Sequence, residues 1–302
     1  MRILITGASG NLGAYLLRHF RSSEHEVVAW SGGWRGELFG VGVEPVELTD
    51  ARAVARAFDR ATPDAVIHAA AVSAIDACHG NPERAMAVNA SAAGWLLTLA
   101  AGRRFVQVST DLVFSGDKGD YRESEQAEPL SVYGRSKRAA EPAVTACWFA
   151  QSLVVRLGLL YGPSLTGRPN FFDRTVLALA AGRPLTLFDD EWRNPLGLAA
   201  AAAALAGIAT SDFVPFREIH HARILHVAGP ERLSRYELGC RIAAVRGLPT
   251  GSLVRGSRVD HLAPEPRPRD TTLNCSRWRQ LFPHHDWPSV EAGLEAMGAG
   301  RP

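Results

Sequence analysis

Several absences bound this chain before any motif is sought. Its four cysteines, Cys78, Cys147, Cys240 and Cys275, are far apart and match no metal-ligand or redox spacing. That excludes a disulfide-stapled scaffold and a cysteine metal site, and predicts reduced, partly buried thiols in a cytosolic protein. No apolar run approaches the ~20 residues that a membrane-spanning helix needs. The longest, Leu196 to Ala209, is alanine-rich and reads as a buried helix. Charge of one sign is missing too: 33 basic residues face 31 acidic ones, a formal net charge of +2. Nucleic acid and membrane surfaces therefore have no electrostatic handle on it. Arg2–Thr6 is already strand-like, so no signal peptide is expected and the chain reads as soluble and cytoplasmic. Lysine is the scarcest charge. Only Lys118 and Lys137 are lysines among the 33 basic residues.

One of those two lysines closes the segment Ser131-Val132-Tyr133-Gly134-Arg135-Ser136-Lys137. Tyr133 and Lys137, four residues apart, share one face of a helix. A nearby ammonium favours the phenolate, which would bring a tyrosine of ordinary pKa about 10 within reach of proton transfer near neutral pH. A surface pair stacked for solubility is the competing reading.

The rest of the chain reads as strands alternating with helices, the pattern of a parallel sheet covered on both faces. Ile3-Leu4-Ile5 runs into Gly7-Ala8-Ser9-Gly10-Asn11-Leu12-Gly13 and then a helical pattern. Strand, glycine turn and helix is the context in which such glycines bind a dinucleotide. Gly7 allows the tight turn, Gly10 lets backbone approach a pyrophosphate, and Gly13 permits close helix–strand packing. The helix N-terminus offers free N–H groups to phosphate. A second strand, Glu26 to Trp30, ends without the acidic residue that binds a ribose 2′-hydroxyl. Ser31 and Arg35 follow instead, a hydroxyl and a guanidinium suited to a 2′-phosphate, although Arg35 reads equally as a solvated loop residue. NADP is therefore expected over NAD.

Further strands are predicted at Val43–Leu48, Asp64–Ala71, Phe105–Ser109, Leu153–Tyr161, Leu185–Phe188 and Ile224–Ala228. Helices are predicted at Asp50–Ala61, Pro82–Ala101, the Tyr133 segment, Phe171–Ala181, Leu196–Ala209, Tyr236–Val245 and Ser276–Phe282. A Pro/Arg-rich loop spans Pro264–Asp270. The expected architecture is a Rossmann-type α/β fold, a doubly wound parallel sheet, with a smaller discontinuous C-terminal substrate domain. Residues 1–163 and 196–228 would bind the dinucleotide; residues 164–195 and 229–302 would bind substrate. His68 reads as structural. The pairs His220-His221 and His284-His285 lack clustered cysteine or carboxylate partners, so no metal site is expected.

Together these segments resemble the extended short-chain dehydrogenase/reductase family, in the branch of dTDP-4-dehydrorhamnose reductase. The resemblance spans nearly the whole chain. It is carried by Gly7–Gly13, Glu47-Leu48-Thr49-Asp50, His68–Ala71 with Asp76, Asn89, Asn170-Phe171 and Arg267-Pro268. Its most branch-specific string is Ser109-Thr110-Asp111-Leu112-Val113-Phe114-Ser115-Gly116, upstream of Tyr133 and Lys137. The resemblance implies cofactor contacts from Gly7, Ser9, Gly10, Asn11, Leu12, Gly13, Leu48, Ala69, Ala70, Ala71 and Asn89. It implies a catalytic set in which Thr110 holds the reacting carbonyl, Tyr133 donates the proton, and Lys137 binds the nicotinamide ribose and lowers the tyrosine pKa. Substrate contacts would come from Thr110, Asn170, Arg193 and Arg267, with Trp192 stacking on a base or packing on the second domain. The branch usually has Asp-Gln-x-x-x-Pro-Thr where this chain has Asp190-Glu191-Trp192-Arg193-Asn194-Pro195-Leu196. Both arginines read equally as solvated surface residues.

The expected activity is NADPH-dependent reduction of a 4-keto-6-deoxy nucleoside-diphosphate sugar. Two alternatives remain at this point. One is an epimerase that retains NAD; the other is a non-catalytic binding subunit of the methionine adenosyltransferase type. A dehydratase is disfavoured because Leu112 stands where family dehydratases carry an acid. A homodimer is one assembly left open.

Overall fold

The computed structural model describes residues 1–148, 151–210, 223–285 and 287–298; His220 and His221 lie outside the described residues. The first half runs β1 (Arg2–Thr6), α1 (Asn11–Phe20), β2 (Glu26–Ser31), β3 (Gly36–Leu38), β4 (Val41–Pro45), α2 (Ala51–Ala61) and β5 (Ala65–His68). It continues through α3 (Ile75–Gly80), α4 (Pro82–Met86), α5 (Ala92–Leu99), β6 (Arg104–Thr110), α6 (Val132–Ala146) and β7 (Gln151–Leu157). Then come β8 (Leu160–Tyr161), α7 (Phe171–Ala180), β9 (Leu185–Phe188), β10 (Trp192–Arg193), β11 (Leu196–Gly197), α8 (Leu198–Thr210) and β12 (Ile224–Val227). The chain closes with β13 (Leu233–Ser234), α9 (Arg235–Val245), β14 (Leu253–Gly256), α10 (Ser276–Leu281) and α11 (Val290–Gly298).

Eight strands form one sheet in the order β12-β7-β6-β5-β1-β2-β4-β3. Neighbours are parallel except β3, which pairs antiparallel with β4. Alternation along each strand sorts the core into two layers. Ile3 and Ile5, with Ile67, Val106 and Val155, face α1 and α8. Leu4, Val66, Phe105 and Val154 face α2, α5 and α6. Both faces are covered, so the sheet is doubly wound. Strand order reverses between β1 and β5, and ligands of such sheets bind in the crevice beyond the C-terminal ends of those strands.

A smaller group of elements sits beyond that edge. α7, α9 and α11 pack around Phe172, Leu238, Ile242 and Leu294, while β9 pairs with β14 over Leu179, Leu187 and Leu253. The segment after the Pro/Arg-rich loop returns to the main core, where Leu273, Cys275 and Trp278 are buried. Among the described residues no helix is long and apolar enough to cross a membrane. The four cysteines are free thiols.

Several elements depart from the sequence reading for local reasons. The helix expected over Pro82–Ala101 is broken by a π-turn at Ala87–Ser91 and ends at Leu99. The third expected strand lies earlier, at Val41–Pro45, because Phe39 and Gly40, both at positive φ, turn the chain into the short β3–β4 hairpin. The strand expected to Tyr161 stops at Leu157, since Gly158 passes the main chain of Asn194: a Cβ there would lie 2.5 Å from the Asn194 carbonyl oxygen. Leu196 and Gly197 pair with Leu160 and Tyr161 before α8 begins.

Candidate active site

A cavity of about 1180 Å³ opens at the crevice between β1 and β5. Its first wall is backbone and small side chains: Gly7, Ser9–Gly13, Gly32, Leu48 and Ala69–Ser73. Gly7 has φ +70, and a Cβ on it would lie 2.7 Å from Ala70 Cα; one on Gly13 would lie 2.2 Å from the Gly7 carbonyl oxygen. Only glycine allows this closeness. α1 is preceded by Gly10, which offers no side-chain cap, whereas Asp50, Ser131, Asn170 and Ser234 cap α2, α6, α7 and α9. Its first N–H groups are thus left for an anion. Asn11 Oδ1 beside them is buried and without a partner. An uncapped helix end, a glycine cradle and an orphan acceptor fit a dinucleotide pyrophosphate.

Thr6 ties this wall together. Its hydroxyl accepts from Ala70 N–H at 3.2 Å and shares a hydrogen bond with His68 Nδ1 at 2.7 Å. His68 is fully buried, and burial, with the Lys137 ammonium, holds its pKa down to about 3. A neutral imidazole there is structural. Asn89 sits in the π-turn, off the cavity wall. Its carboxamide accepts from Val72 N–H at 2.8 Å and donates to the Val72 carbonyl at 3.0 Å and to Ser136 Oγ at 2.8 Å. It braces the cofactor-side loop against α6. Ser31 and Arg35 also stand off the wall, which Gly32 alone reaches from that loop. The Ser31 hydroxyl donates to the Trp34 carbonyl, and Arg35 is exposed.

The second wall brings Thr110, Tyr133 and Lys137 together. Ser131 caps α6 by accepting from Gly134 N–H at 3.1 Å. Gly134 lets the helix close on the Thr110 turn, since a Cβ there would sit 2.2 Å from the Leu112 carbonyl oxygen. The Thr110 hydroxyl donates to Asp111 Oδ1 at 3.0 Å and accepts from Leu112 N–H at 3.2 Å, close enough to Tyr133 to act on its phenol. Here the structure corrects the expectation of a lowered phenol pKa. Burial raises the Tyr133 pKa, and the Asp111 carboxylate adds to it, outweighing the Thr110 hydrogen bond. Lys137 is buried, and burial brings its pKa down to about 8 against the opposing pull of Glu141.

The far end of the cavity is charged. Glu191 is fully buried and gathers three guanidiniums. Arg235 Nε lies 2.9 Å from it, Arg267 Nε 2.7 Å, and Arg193 Nη2 3.3 Å. Burial would raise the Glu191 pKa, but Arg235, Arg193 and Arg267 carry it down to about 2. Arg193, expected as a substrate contact, is 3% exposed and largely committed within the protein. It donates to the carbonyls of Trp192 and Pro268 at 2.6 and 3.2 Å and lies 3.5 Å from Asp111. Arg267 and Asn170 line the cavity with more freedom, although Asn170 also caps α7 and donates to the Gly162 carbonyl at 2.9 Å. Trp192 is off the wall, under the Arg232 guanidinium at 4.4 Å.

Sequence reasoning missed Glu191 as the hub, and Arg235, Arg168 and the strap residues His261–Glu265 as wall. Glu191 had one signal, its place in the string that departs from the branch pattern. Among the described residues no cluster of His, Cys, Asp and Glu could hold a metal.

Comparison with known proteins gives the family. The family model described as RmlD substrate binding domain matches residues 1–297. A dTDP-4-dehydrorhamnose reductase of Streptomyces griseus is 34% identical, covering 100% of this chain and 96% of the relative. A probable low-salt glycan biosynthesis reductase of Haloferax volcanii is 32% identical over 91% of this chain and 90% of its own length. The crystal structure of a dTDP-4-dehydrorhamnose reductase from Bacillus anthracis in complex with NADP superposes with TM-score 0.82. It is 22% identical and covers 99% of both chains. The glycine cradle, the α6 pair and the whole-chain match lead to one assignment: this chain belongs to the RmlD substrate binding domain family, within the extended short-chain dehydrogenase/reductases.

Proposed function

We propose that this chain is an oxidoreductase that uses NADPH to reduce the ketone of a 4-keto-6-deoxy nucleoside-diphosphate sugar. The observation that carries the reading is the meeting of Thr110, Tyr133 and Lys137 on one cavity wall, next to an uncapped, glycine-lined helix end. The name of the S. griseus relative supports the substrate class, and the NADP held by the B. anthracis structure supports the cofactor.

Gly7–Gly13 and the α1 N-terminus would hold the pyrophosphate, and Lys137 the nicotinamide ribose. Bound there, NADPH supplies the hydride. Negative charge then develops on the ketone oxygen, where two aimed donors stabilise it better than water does. Tyr133 is the proton source: a phenol is protonated at neutral pH, the form a donor needs, and burial with Asp111 moves its pKa further up. Thr110 turns its hydroxyl from Asp111 to the same oxygen. Leu112 offers no acid for water elimination. Residues 164–195 and 229–302 would carry the sugar nucleotide, with Arg267 and Asn170 as its polar contacts and Arg193 fixing the loop that bears Arg267.

The test is NADPH oxidation by purified protein against a panel of 4-keto-6-deoxy sugar nucleotides. Turnover of at least one, with NADPH preferred to NADH, is expected. Retention of bound NAD with interconversion of sugars and no net oxidation would replace the reading with an epimerase. NADPH binding without turnover of any panel member would replace it with a binding module.

A further inference from the structure

Beneath the catalytic helix lies a carboxylate that the mechanism above does not use. Glu141 is fully buried. It follows Lys137 by four residues and Tyr133 by eight, so the three fall along one face of α6. Oε1 accepts from Ser109 Oγ at 2.8 Å and from Arg156 Nε at 2.9 Å, and Oε2 accepts from Arg156 Nη2 at 2.6 Å. Arg138 Nη1 stands 3.6 Å away. Arg156 is 2% exposed, lies over the Phe114 ring at 5.0 Å and contacts His226 Nε2 at 3.3 Å. Ser109 and Arg156 are register partners across β6 and β7, and Ser109 immediately precedes Thr110.

A buried ion pair is poor evidence for stability, because desolvation costs several kcal/mol per ion and an apolar filling of similar volume does as well or better. This pair therefore calls for another reason. Glu141 is the carboxylate that pulls the Lys137 pKa upward against burial. The other titratable groups around the site do not replace it. His68, from β5, is neutral near pH 7 and so is His226 beside Arg156; Asp111 and the Cys78 thiol act on Tyr133.

We infer that Glu141 is a positioning residue of the site: it keeps Lys137 charged and, through Ser109, sets Thr110 against Tyr133. The role assigned to Lys137 rests on the reductase reading; the electrostatic link between Glu141 and Lys137 does not.

The scarcity of lysine makes the test direct. Full-length protein labelled with ¹³C or ¹⁵N lysine has two lysine side chains to titrate by NMR, Lys118 serving as an internal control paired with Glu125. In Glu141→Gln the Lys137 midpoint is expected to fall by about one pH unit, with Lys118 unmoved. At a pH between the old and new midpoints, kcat/KM should fall several-fold while the melting curve remains cooperative. A Lys137 midpoint that stays in place overturns the inference, whatever happens to stability. Glu141→Gln leaves Arg156 buried without its partner, so Glu141→Leu/Arg156→Leu is measured beside it. That variant restores a neutral interior, and its Lys137 midpoint should fall in the same direction. A midpoint that falls in a protein turning over no keto-sugar would uphold Glu141 and sink the reductase reading instead.

Discussion

The two ends of the cavity are built from different materials. The cofactor end is backbone, glycine and alanine, rigid because atoms touch at van der Waals limits; its main binding charge is the partial one of an uncapped helix. The far end is long charged side chains, with Glu191 at the centre of Arg193, Arg235 and Arg267. The first kind of wall starts from one local unit, the Gly7–Gly13 turn, and is closed by backbone from Gly32, Leu48 and Ala69–Ser73. The second is assembled from three separate segments, at Glu191–Arg193, Arg235 and Arg267, and is stable only because each charge finds a partner. Shape fixes one end, and electrostatic balance the other.

That contrast can be broken experimentally. The largest effect is expected between the ends, at the reacting centre: Tyr133→Phe should lower kcat by about 10²–10⁴-fold with NADPH affinity nearly unchanged, read by NADPH oxidation and fluorescence titration. At the backbone end, Gly13→Val must displace the Gly7 main chain. Loss of cofactor affinity by more than about tenfold is expected, with about 1–3 kcal/mol of lost stability. Tight NADPH binding by this variant would show that the cradle is not set by shape.

At the charged end, two arginines of one cluster should separate. Arg193→Met removes a buried guanidinium and should cost about 3–5 kcal/mol in denaturant unfolding. Arg267→Gln, at a quarter-exposed position, should cost about 1 kcal/mol and act mainly by raising KM. Equal effects on stability would erase the distinction between a keystone and a ligand. The pH profile probes Lys137. Its pKa is lowered to about 8, so the ammonium is present below that value and lost above it. NADPH affinity should therefore weaken as pH rises past about 8, as followed by fluorescence titration. The smallest effect belongs to Arg35→Gln. Because Arg35 stands off the cavity wall, the NADPH/NADH preference should change by less than about threefold.

Much of the fold could be read in advance, for a definable reason. Ile3-Leu4-Ile5, the glycine turn and the α1 pattern are one local unit, and short continuous apolar runs and helical periodicity mark the remaining elements. Asn89 shows where that legibility fades. The resemblance put it at the cofactor, yet its carboxamide spans Val72 and Ser136 from a π-turn that no periodicity signals. Arg193 shows the same limit: a guanidinium looks identical in sequence whether it meets a substrate or the carbonyls of Trp192, Pro268 and Arg269. Tyr133 is subtler. Spacing found it, but the direction of its pKa depends on burial and on Asp111, neither of which spacing reveals.

By itself, then, the sequence determined the alternation of strands and helices, the glycine cradle and the pairing of Tyr133 with Lys137 on one helix face. These depend on neighbours within a few residues, where backbone geometry leaves little choice. Tertiary structure alone decided which arginine is buried, which charges gather at Glu191, that the Tyr133 pKa is raised and not lowered, and that Glu141 lies under Lys137. Those outcomes depend on dielectric and on distances between remote segments, which exist only once the chain has folded.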